Sequence, residues 1–133
     1  MSDVDVFLSS DVFAVAGAST NRQKYGNKVL RAYMQREKQV YPINPAAGEV
    51  EGLKAYPDVA SLPDGVTAIS IVTPPGVTLE VVKASLQKNI MRMWMQPGAE
   101  SPQAVEVARK AGALVIADGA CALVALRYSE SEG

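Results

Sequence analysis

The stretch Phe13-Ala14-Val15-Ala16-Gly17-Ala18-Ser19-Thr20-Asn21-Arg22-Gln23-Lys24-Tyr25-Gly26 decides the fold class of this chain. Its apolar start predicts a buried strand, a Gly-Ala-Ser turn follows at once, and helical periodicity begins at Gly26. Glycine lets backbone N–H groups approach an anion closely, and a helix start presents unpaired donors and partial positive charge. The corner therefore predicts a nucleotide-binding α/β domain whose ligand carries a diphosphate.

The glycine spacing in this corner matches neither of two common phosphate-binding fingerprints. Residues 17–26 contain no Gly-x-Gly-x-x-Gly, which is typical of NAD-binding domains, and no Gly-Lys-Ser/Thr, which a Walker A loop requires. The identity of the nucleotide must therefore come from the rest of the chain.

Length and composition predict an ordinary soluble protein with one domain. The chain has 133 residues, of which 48% are hydrophobic and 20% charged. Its net charge of −1 argues against non-specific binding to nucleic acid or to a membrane surface. An acidic start, Met1-Ser2-Asp3-Val4-Asp5, does not resemble a targeting signal, and no apolar stretch suits a bilayer span, so we expect a cytoplasmic protein.

The counts of histidine and cysteine limit the available chemistry. The chain has no histidine and one cysteine, so it offers no Ser-His-Asp or Cys-His arrangement, no His-based metal site and no internal disulfide. Any catalysis would depend on carboxylates, lysine, tyrosine or that cysteine.

Strand and helix patterns alternate along the chain. Predicted strands lie at 12–16, 40–43, 68–72, 90–95 and 114–117; predicted helices lie at 26–38, around 79–86 and from Ser101 as N-cap to Gly112. Val50 and Leu53 suggest a brief edge strand or bulge, residues 120–126 suit either strand or helix, and 127–133 suggest a flexible tail. The alternation predicts a single Rossmann-like domain over 1–133, with a mainly parallel sheet and helices on both faces.

The second strand end discriminates among nucleotides. Ligands of open parallel sheets lie beyond the carboxyl ends of the strands, where the strand order reverses. An NAD site needs an acidic residue after the second strand, but Asn44 and Pro45 stand there. An NADP site needs a nearby arginine, and none lies between Arg36 and Arg92. Coenzyme A (CoA) remains.

Five motifs in order resemble the small CoA-binding domain proteins, which are in turn similar to the N-terminal CoA-binding domain of the succinyl-CoA synthetase α subunit. The resemblance covers about residues 8–121. The motifs are Val15-Ala16-Gly17-Ala18-Ser19, Val40-Tyr41-Pro42-Ile43-Asn44-Pro45, Glu51-Gly52-Leu53-Lys54-Ala55-Tyr56-Pro57, Ile71-Val72-Thr73-Pro74-Pro75 and Met93-Trp94-Met95-Gln96-Pro97-Gly98.

The resemblance implies that the ligand is CoA or an acyl-CoA. It assigns the phosphates to the turn after the first strand, which is Gly17, Ala18, Ser19 and Thr20. It assigns the adenine to the turn after the third strand, which is Val72, Thr73 and Pro74. The end of the second strand, Asn44 and Pro45, is implied to lie beside the nucleotide. The proteins of this resemblance commonly have a lysine within two residues of the proline that corresponds to Pro45, where this chain has Ala46 and Ala47. Recognition of the 3′-phosphate then depends on Arg22 or Lys24. The synthetase's catalytic histidine has no counterpart here, which excludes the ligase reaction.

Several residues keep two interpretations. Arg22 and Lys24 stand near a helix start, where the macrodipole disfavours cations, so they are either phosphate ligands or solvated charges. Gln96 marks either a turn or a contact with the pantetheine arm, whereas Trp94 fits a buried strand. Asp118 either caps a turn or polarises a thioester. Cys121 is either a small buried side chain or, because the relatives carry a cysteine near this strand end, a redox partner of the CoA thiol.

The leading hypothesis is therefore non-catalytic binding of CoA or an acyl-CoA. Two alternatives stay open: a small NAD(P)-type Rossmann enzyme with an unusual fingerprint, and a domain that has lost its ligand and acts through protein contacts. A homodimer is plausible from the sheet edges and the apolar segment 120–126, and an acyl-CoA enzyme is the other expected partner.

Overall fold

The computed structural model describes residues 1–132, and its elements follow one another in a strand–helix alternation. In chain order they are α1 (Asp3–Leu8), β1 (Val12–Ala16), α2 (Tyr25–Gln35), β2 (Gln39–Ile43), β3 (Glu49–Val50), β4 (Leu53–Lys54), β5 (Ala68–Ile71), α3 (Pro75–Gln87), β6 (Arg92–Met95), α4 (Pro102–Lys110), β7 (Leu114–Ile116), α5 (Ala122–Ala125) and a 3-10 turn at Glu130–Glu132.

Five of the strands form one parallel sheet in the order β2-β1-β5-β6-β7. The chain runs outward from β1 to β2 and then returns to β5 on the other side of β1, so the strand order reverses between β1 and β5. The backbone N–H of Val72 donates to the carbonyl of Ala16 at 2.8 Å, which keeps the two strand ends side by side. The predicted Rossmann-like α/β fold is confirmed.

Alternating strand residues build two hydrophobic cores, one on each face of the sheet. Ala14, Ile69 and Met93 belong to the core that α3 and α4 cover. Phe13 and Trp94 belong to the core under α1, α2 and α5. Trp94 is completely buried and its indole N–H donates to the carbonyl of Ala120 at 2.9 Å, so its prediction as a core residue is confirmed.

Two elements were not evident from the sequence. Helix α1 begins with a capping box between Ser2 and Asp5 and buries Phe7 against the sheet. Residues 122–125, which suited either strand or helix, are helical in α5. The brief edge structure expected near Val50 is the antiparallel pair β3–β4, whose two-residue turn has positive φ at Glu51 and Gly52.

The segment that the sequence predicts to be flexible, 127–133, is docked as far as it is described. The side-chain amide of Gln35 donates to the carbonyl of Ser129 at 2.8 Å and accepts from its N–H at 3.0 Å. Gly133 lies outside the described residues. Sequence reasoning missed this docking because Gln35 and Ser129 are 94 positions apart. No helix within residues 1–132 is long and apolar enough to cross a membrane.

Candidate functional site

A cleft of about 440 Å³ opens at the point where the strand order reverses. It collects nine of the twelve residues singled out in the sequence, and the three others, Thr20, Arg22 and Gln96, lie outside it. Its lining consists of Gly17, Ala18, Ser19, Lys24, Tyr25, Gly26, Ile43, Asn44, Pro45, Val72, Thr73 and Pro74.

Two glycines bring the start of α2 directly against the end of β1. Gly17 has φ of +92°, and a Cβ there would overlap the carbonyl oxygen of Val72. A Cβ on Gly26 would overlap the carbonyl oxygen of Gly17. Close packing within the protein therefore requires both glycines, and this packing aims the N-terminus of α2 into the cleft.

The N-terminus of α2 is not capped by the protein's own side chains. Lys24 is the N-cap residue without a side-chain capping hydrogen bond, and the first turn contains no acidic residue. The first N–H groups of a helix have no partner within the helix, and they favour an anion. Lys24 also lines the cleft, and within residues 1–132 it forms no ion pair. The arrangement suits a phosphate group.

Side-chain amides hold the turn after β1 in place. Asn27 Nδ2 donates to the carbonyl of Ser19 at 2.7 Å, and Asn44 Nδ2 donates to the carbonyl of Ala18 at 2.9 Å. Asn44 Oδ1 in turn accepts from the N–H groups of Ala46 and Ala47. The Asn44 side chain thus braces the cleft, and its backbone N–H is also occupied because it donates to the carbonyl of Tyr56 at 2.9 Å.

The two cations expected at the phosphates are placed differently. Arg22 lies outside the cleft, with its Nε 3.3 Å from Glu51 Oε2 in the β3–β4 turn, and about half of its side chain is exposed. Thr20 is exposed in the same loop. Glu51 Oε2 also accepts from Asn27 Nδ2 at 3.0 Å, so it ties the β3–β4 turn to the loop. Lys24 is accordingly the cation at the cleft in this structure.

An apolar cleft of about 460 Å³ adjoins the first one on the α3 side of the sheet. The two share Gly17, Ile43, Pro45 and Thr73. Its further walls, which sequence reasoning missed, come from the segment after β4 and from the first turns of α3: Pro57, Asp58, Val59, Val77, Glu80, Val81 and Ala84. The sequence signal for the α3 side of this cleft is the pair Val77 and Val81, which are four positions apart and follow Thr73-Pro74-Pro75.

Tyr25 links the cleft to two polar side chains behind it. Its hydroxyl donates to Gln96 Oε1 at 3.1 Å and lies 2.7 Å from Cys121 Sγ. Burial, and then the hydrogen bond with the thiol, raise the pKa of Tyr25, so the hydroxyl is neutral at physiological pH. Sequence reasoning missed Tyr25, because only the fold brings Gln96 and Cys121 to it.

Gln96 is not on the surface of the cleft. It is completely buried, and its Oε1 also accepts from the N–H of Ala122 at 2.8 Å. Gln96, interpreted from the sequence as either a turn residue or a contact of the pantetheine arm, therefore lies behind Tyr25 and does not line the cleft. Cys121, expected to be buried, is half-buried at the start of α5.

Asp118 belongs to a different part of the surface. Its Oδ1 accepts from the N–H of Ala120 at 3.1 Å, which is the turn-capping arrangement. It lines a third cleft of about 550 Å³ between α1, α4 and the end of β7. Within residues 1–132 no group of three metal-ligating side chains is placed to hold a metal ion.

Known proteins share both the sequence pattern and the fold. A 72-residue segment, 53% of this chain, is 36% identical to the alpha subunit of ADP-forming acetate–CoA ligase II from Pyrococcus furiosus. The matched segments span 11 to 16% of the curated relatives' lengths. These relatives are therefore much longer than the segment they share with this chain.

Solved structures extend the similarity over most of the chain. A conserved hypothetical protein from Pyrococcus furiosus is 38% identical with a TM-score of 0.79, covering 85% of this chain and 97% of that one. The dinucleotide-forming acetyl-coenzyme A synthetase 1 of Ca. Korarchaeum cryptofilum is 30% identical with a TM-score of 0.72, covering 82% of this chain and 26% of that one. The model of the CoA binding domain family matches residues 11–127. This chain belongs to the CoA binding domain family.

Proposed function

We propose that this protein binds CoA or an acyl-CoA, without catalysing its conversion, in the two adjoining clefts between β1 and β5. One observation supports the proposal above all. Where the strand order reverses, the uncapped N-terminus of α2 and the Lys24 side chain lie next to an apolar cleft. Family membership supports CoA as the ligand class.

The pyrophosphate is assigned to the cleft at the start of α2. The backbone N–H groups of residues 17–19 and of the first turn of α2 supply donors, and Lys24 supplies a positive charge. In this proposal Thr20 lies in the exposed part of the loop, and Arg22 contributes only by leaving Glu51.

The adenine is assigned to the apolar cleft beside α3. Pro45 and Thr73 stand where the two clefts join, and Val72 and Pro74 line the phosphate side. Val77 and Val81 offer the aliphatic surface against which a flat base packs. The pantetheine arm then extends past Tyr25 towards Cys121, which places the thiol or acyl group at that end of the site.

The 3′-phosphate is the part of CoA that this chain is least equipped to recognise. No cation directly follows Asn44-Pro45, where Ala46 and Ala47 stand, and Arg22 is paired with Glu51 outside the cleft. We therefore expect dephospho-CoA to bind nearly as well as CoA. If Arg22 or Lys24 serves the 3′-phosphate instead, removing that group weakens binding.

The proposal of a non-catalytic role rests on the groups around the site. The chain has no histidine, and Asp118 lies on a different cleft. We expect no ligase, thioesterase or dehydrogenase turnover; steady thioester hydrolysis that Asp118→Asn abolishes would contradict this and make that carboxylate a general base. Because longer relatives are CoA ligases, an acyl-CoA enzyme is the proposed partner, and sedimentation with and without ligand tests the alternative, a homodimer.

Thermal unfolding with a panel of ligands tests the assignment. A ligand that binds only the native state stabilises it by about 2.7 kcal/mol at a hundredfold excess over Kd. At about 4 °C per kcal/mol for a chain of this size, CoA at millimolar concentration raises Tm by roughly 10 °C if its Kd is near 10 µM. NAD and NADP are expected to give much smaller shifts, since Asn44 replaces the acidic residue that binds the ribose diol.

The same panel separates the alternatives. Equal shifts with NAD and CoA would favour the NAD(P)-type enzyme, and no shift with any of these ligands would favour a domain that acts through protein contacts. Dephospho-CoA in the panel reports directly on the 3′-phosphate.

A further inference from the structure

A buried cation, Arg31 on α2, connects the phosphate-binding loop to a segment far away in sequence. The segment is residues 127–131, here called the strap. Only 5% of Arg31 is exposed, and its side chain contacts Asn27, Arg22 and Glu130. Arg31 does not line either cleft.

On one side, Arg31 holds the phosphate-binding loop. Its Nε donates to Asn27 Oδ1 at 2.7 Å, and a terminal NH₂ donates to the carbonyl of Arg22 at 3.0 Å. Asn27, itself completely buried, donates from Nδ2 to the carbonyl of Ser19. Arg31 and Asn27 therefore fix the two ends of the loop 19–22 through its carbonyls, which determines where the loop's N–H groups point.

On the other side, Arg31 is held by the strap. Its second NH₂ lies 3.6 Å from Glu130 Oε2, and its guanidinium lies 5.3 Å from the ring centre of Tyr128. Glu130 also pairs with Lys28 at 3.2 Å, and Ser129 makes its two hydrogen bonds with Gln35. Among the described residues, the carboxylate paired with Arg31 is that of Glu130.

Burying a guanidinium is unfavourable unless it is paired and hydrogen-bonded. Without the Glu130 charge, the buried guanidinium keeps its two hydrogen bonds and the Tyr128 ring but has no counter-charge, which favours a movement of Arg31 towards water. That movement releases Asn27 Oδ1 and the Arg22 carbonyl together, because one side chain holds both. The loop then loses its contact at the Arg22 carbonyl, and Asn27, which holds the Ser19 carbonyl, loses the partner that fixes its orientation.

We propose that docking of the strap on α2 positions the phosphate-binding loop, with Glu130 and Arg31 as positioning residues for ligand binding. This inference rests on the proposed function. The strap lines neither cleft. We nevertheless expect its docking to change the affinity for the diphosphate portion of the ligand. ADP and CoA share that portion, so loosening the strap weakens both by the same factor.

The experiment compares the full-length chain with the double variant Gln35→Ala/Glu130→Gln, which removes the Gln35–Ser129 hydrogen bonds and the charge that pairs with Arg31 and Lys28. Calorimetric titration gives Kd for CoA and for ADP, hydrogen exchange of the Ser129 amide reports strap docking, and Tm without ligand reports the fold. We expect faster exchange at Ser129, a loss of affinity of about fivefold for both ligands, and a Tm lowered by only about 4 to 8 °C, because both hydrophobic cores stay intact. Glu106→Gln is the matched control, since it removes an exposed ion pair with Lys110 on α4 and leaves binding unchanged.

The outcomes are distinguishable. Unchanged affinities despite faster exchange at Ser129 would overturn the positioning role, as would a loss for CoA alone. Continued protection of Ser129 would show that these contacts do not hold the strap, which also overturns the proposal. A lower Tm with unchanged affinities would identify the strap as purely structural. If the unaltered chain binds neither ligand, the proposed function itself fails.

Arg31→Lys tests the same link from the other end. A lysine keeps the charge near Glu130 but cannot donate to both Asn27 and the Arg22 carbonyl in the same planar geometry. We expect the affinity for ADP and CoA to fall while the Ser129 amide stays protected. Unchanged affinity in this variant would contradict the role of Arg31.

Discussion

The hydroxyl of Tyr25 lies 2.7 Å from the Sγ of Cys121, although the two residues are 96 positions apart. Tyr25 forms part of the cleft wall, and Cys121 is half-buried directly behind it. The only thiol of the protein is thus separated from the proposed ligand site by one aromatic side chain.

This relationship makes the reaction of Cys121 with oxidised CoA testable. With CoA disulfide, the Cys121 thiolate attacks one sulfur, forms a protein–CoA disulfide and releases the second CoA as a thiol. We expect the mass of one CoA to be added and to be removed by a thiol reductant. Excess ADP should slow the reaction by occupying the cleft, and glutathione disulfide should react more slowly. Cys121→Ser should gain nothing; an adduct on it, or a rate that ADP leaves unchanged, would count against the assignment.

Lys24 is expected to contribute directly to phosphate binding. Lys24→Gln removes the positive charge at the cleft and should weaken CoA binding about tenfold, or roughly 1.4 kcal/mol, while reducing the salt dependence of Kd. Lys110→Gln, at an exposed position on α4, is the matched control. Titrations of CoA at two salt concentrations measure Kd and its salt dependence for both variants. Equal Kd values for the two variants would show that Lys24 does not contact the phosphates.

Gly17 is expected to be required for folding rather than only for ligand approach. Its positive φ and the carbonyl of Val72 leave no room for a side chain, so a substitution here tests folding before it tests phosphate binding. Gly17→Ala should cost at least about 2 kcal/mol and lower Tm by roughly 8 °C without any ligand. Gly48→Ala, where a Cβ meets open space, should change little. A ligand-free Tm that Gly17→Ala does not alter would refute this.

The apolar cleft can be tested at Val77, whose exposed fraction of 45% allows substitution without loss of core packing. Val77→Asp places a charge where the adenine is proposed to pack, and we expect CoA affinity to fall about tenfold at unchanged ligand-free Tm. Val124→Asp on α5, at a side chain that is 78% exposed, is the control. If both variants bind CoA equally well, the adenine does not lie against α3.

The sequence by itself determined the architecture and the location of the turn after β1, where we propose that the phosphates bind. Strand periodicity at 12–16 and the N-cap at Ser101 are local properties, since neighbouring residues decide both. Because carboxyl ends of parallel strands meet at one sheet edge, the topology predicts that the strand ends lie together. The resemblance to CoA-binding proteins then selected twelve residues, of which nine line one cleft.

Only the tertiary structure decided which groups around that turn are available to a ligand. Arg22 pairs with Glu51, Gln96 is buried behind Tyr25, and Gln35 docks a segment whose composition suggests flexibility. Each of these outcomes depends on a contact between residues tens of positions apart. The direction of a side chain and its partner are set by packing between elements, a property that local sequence patterns do not carry.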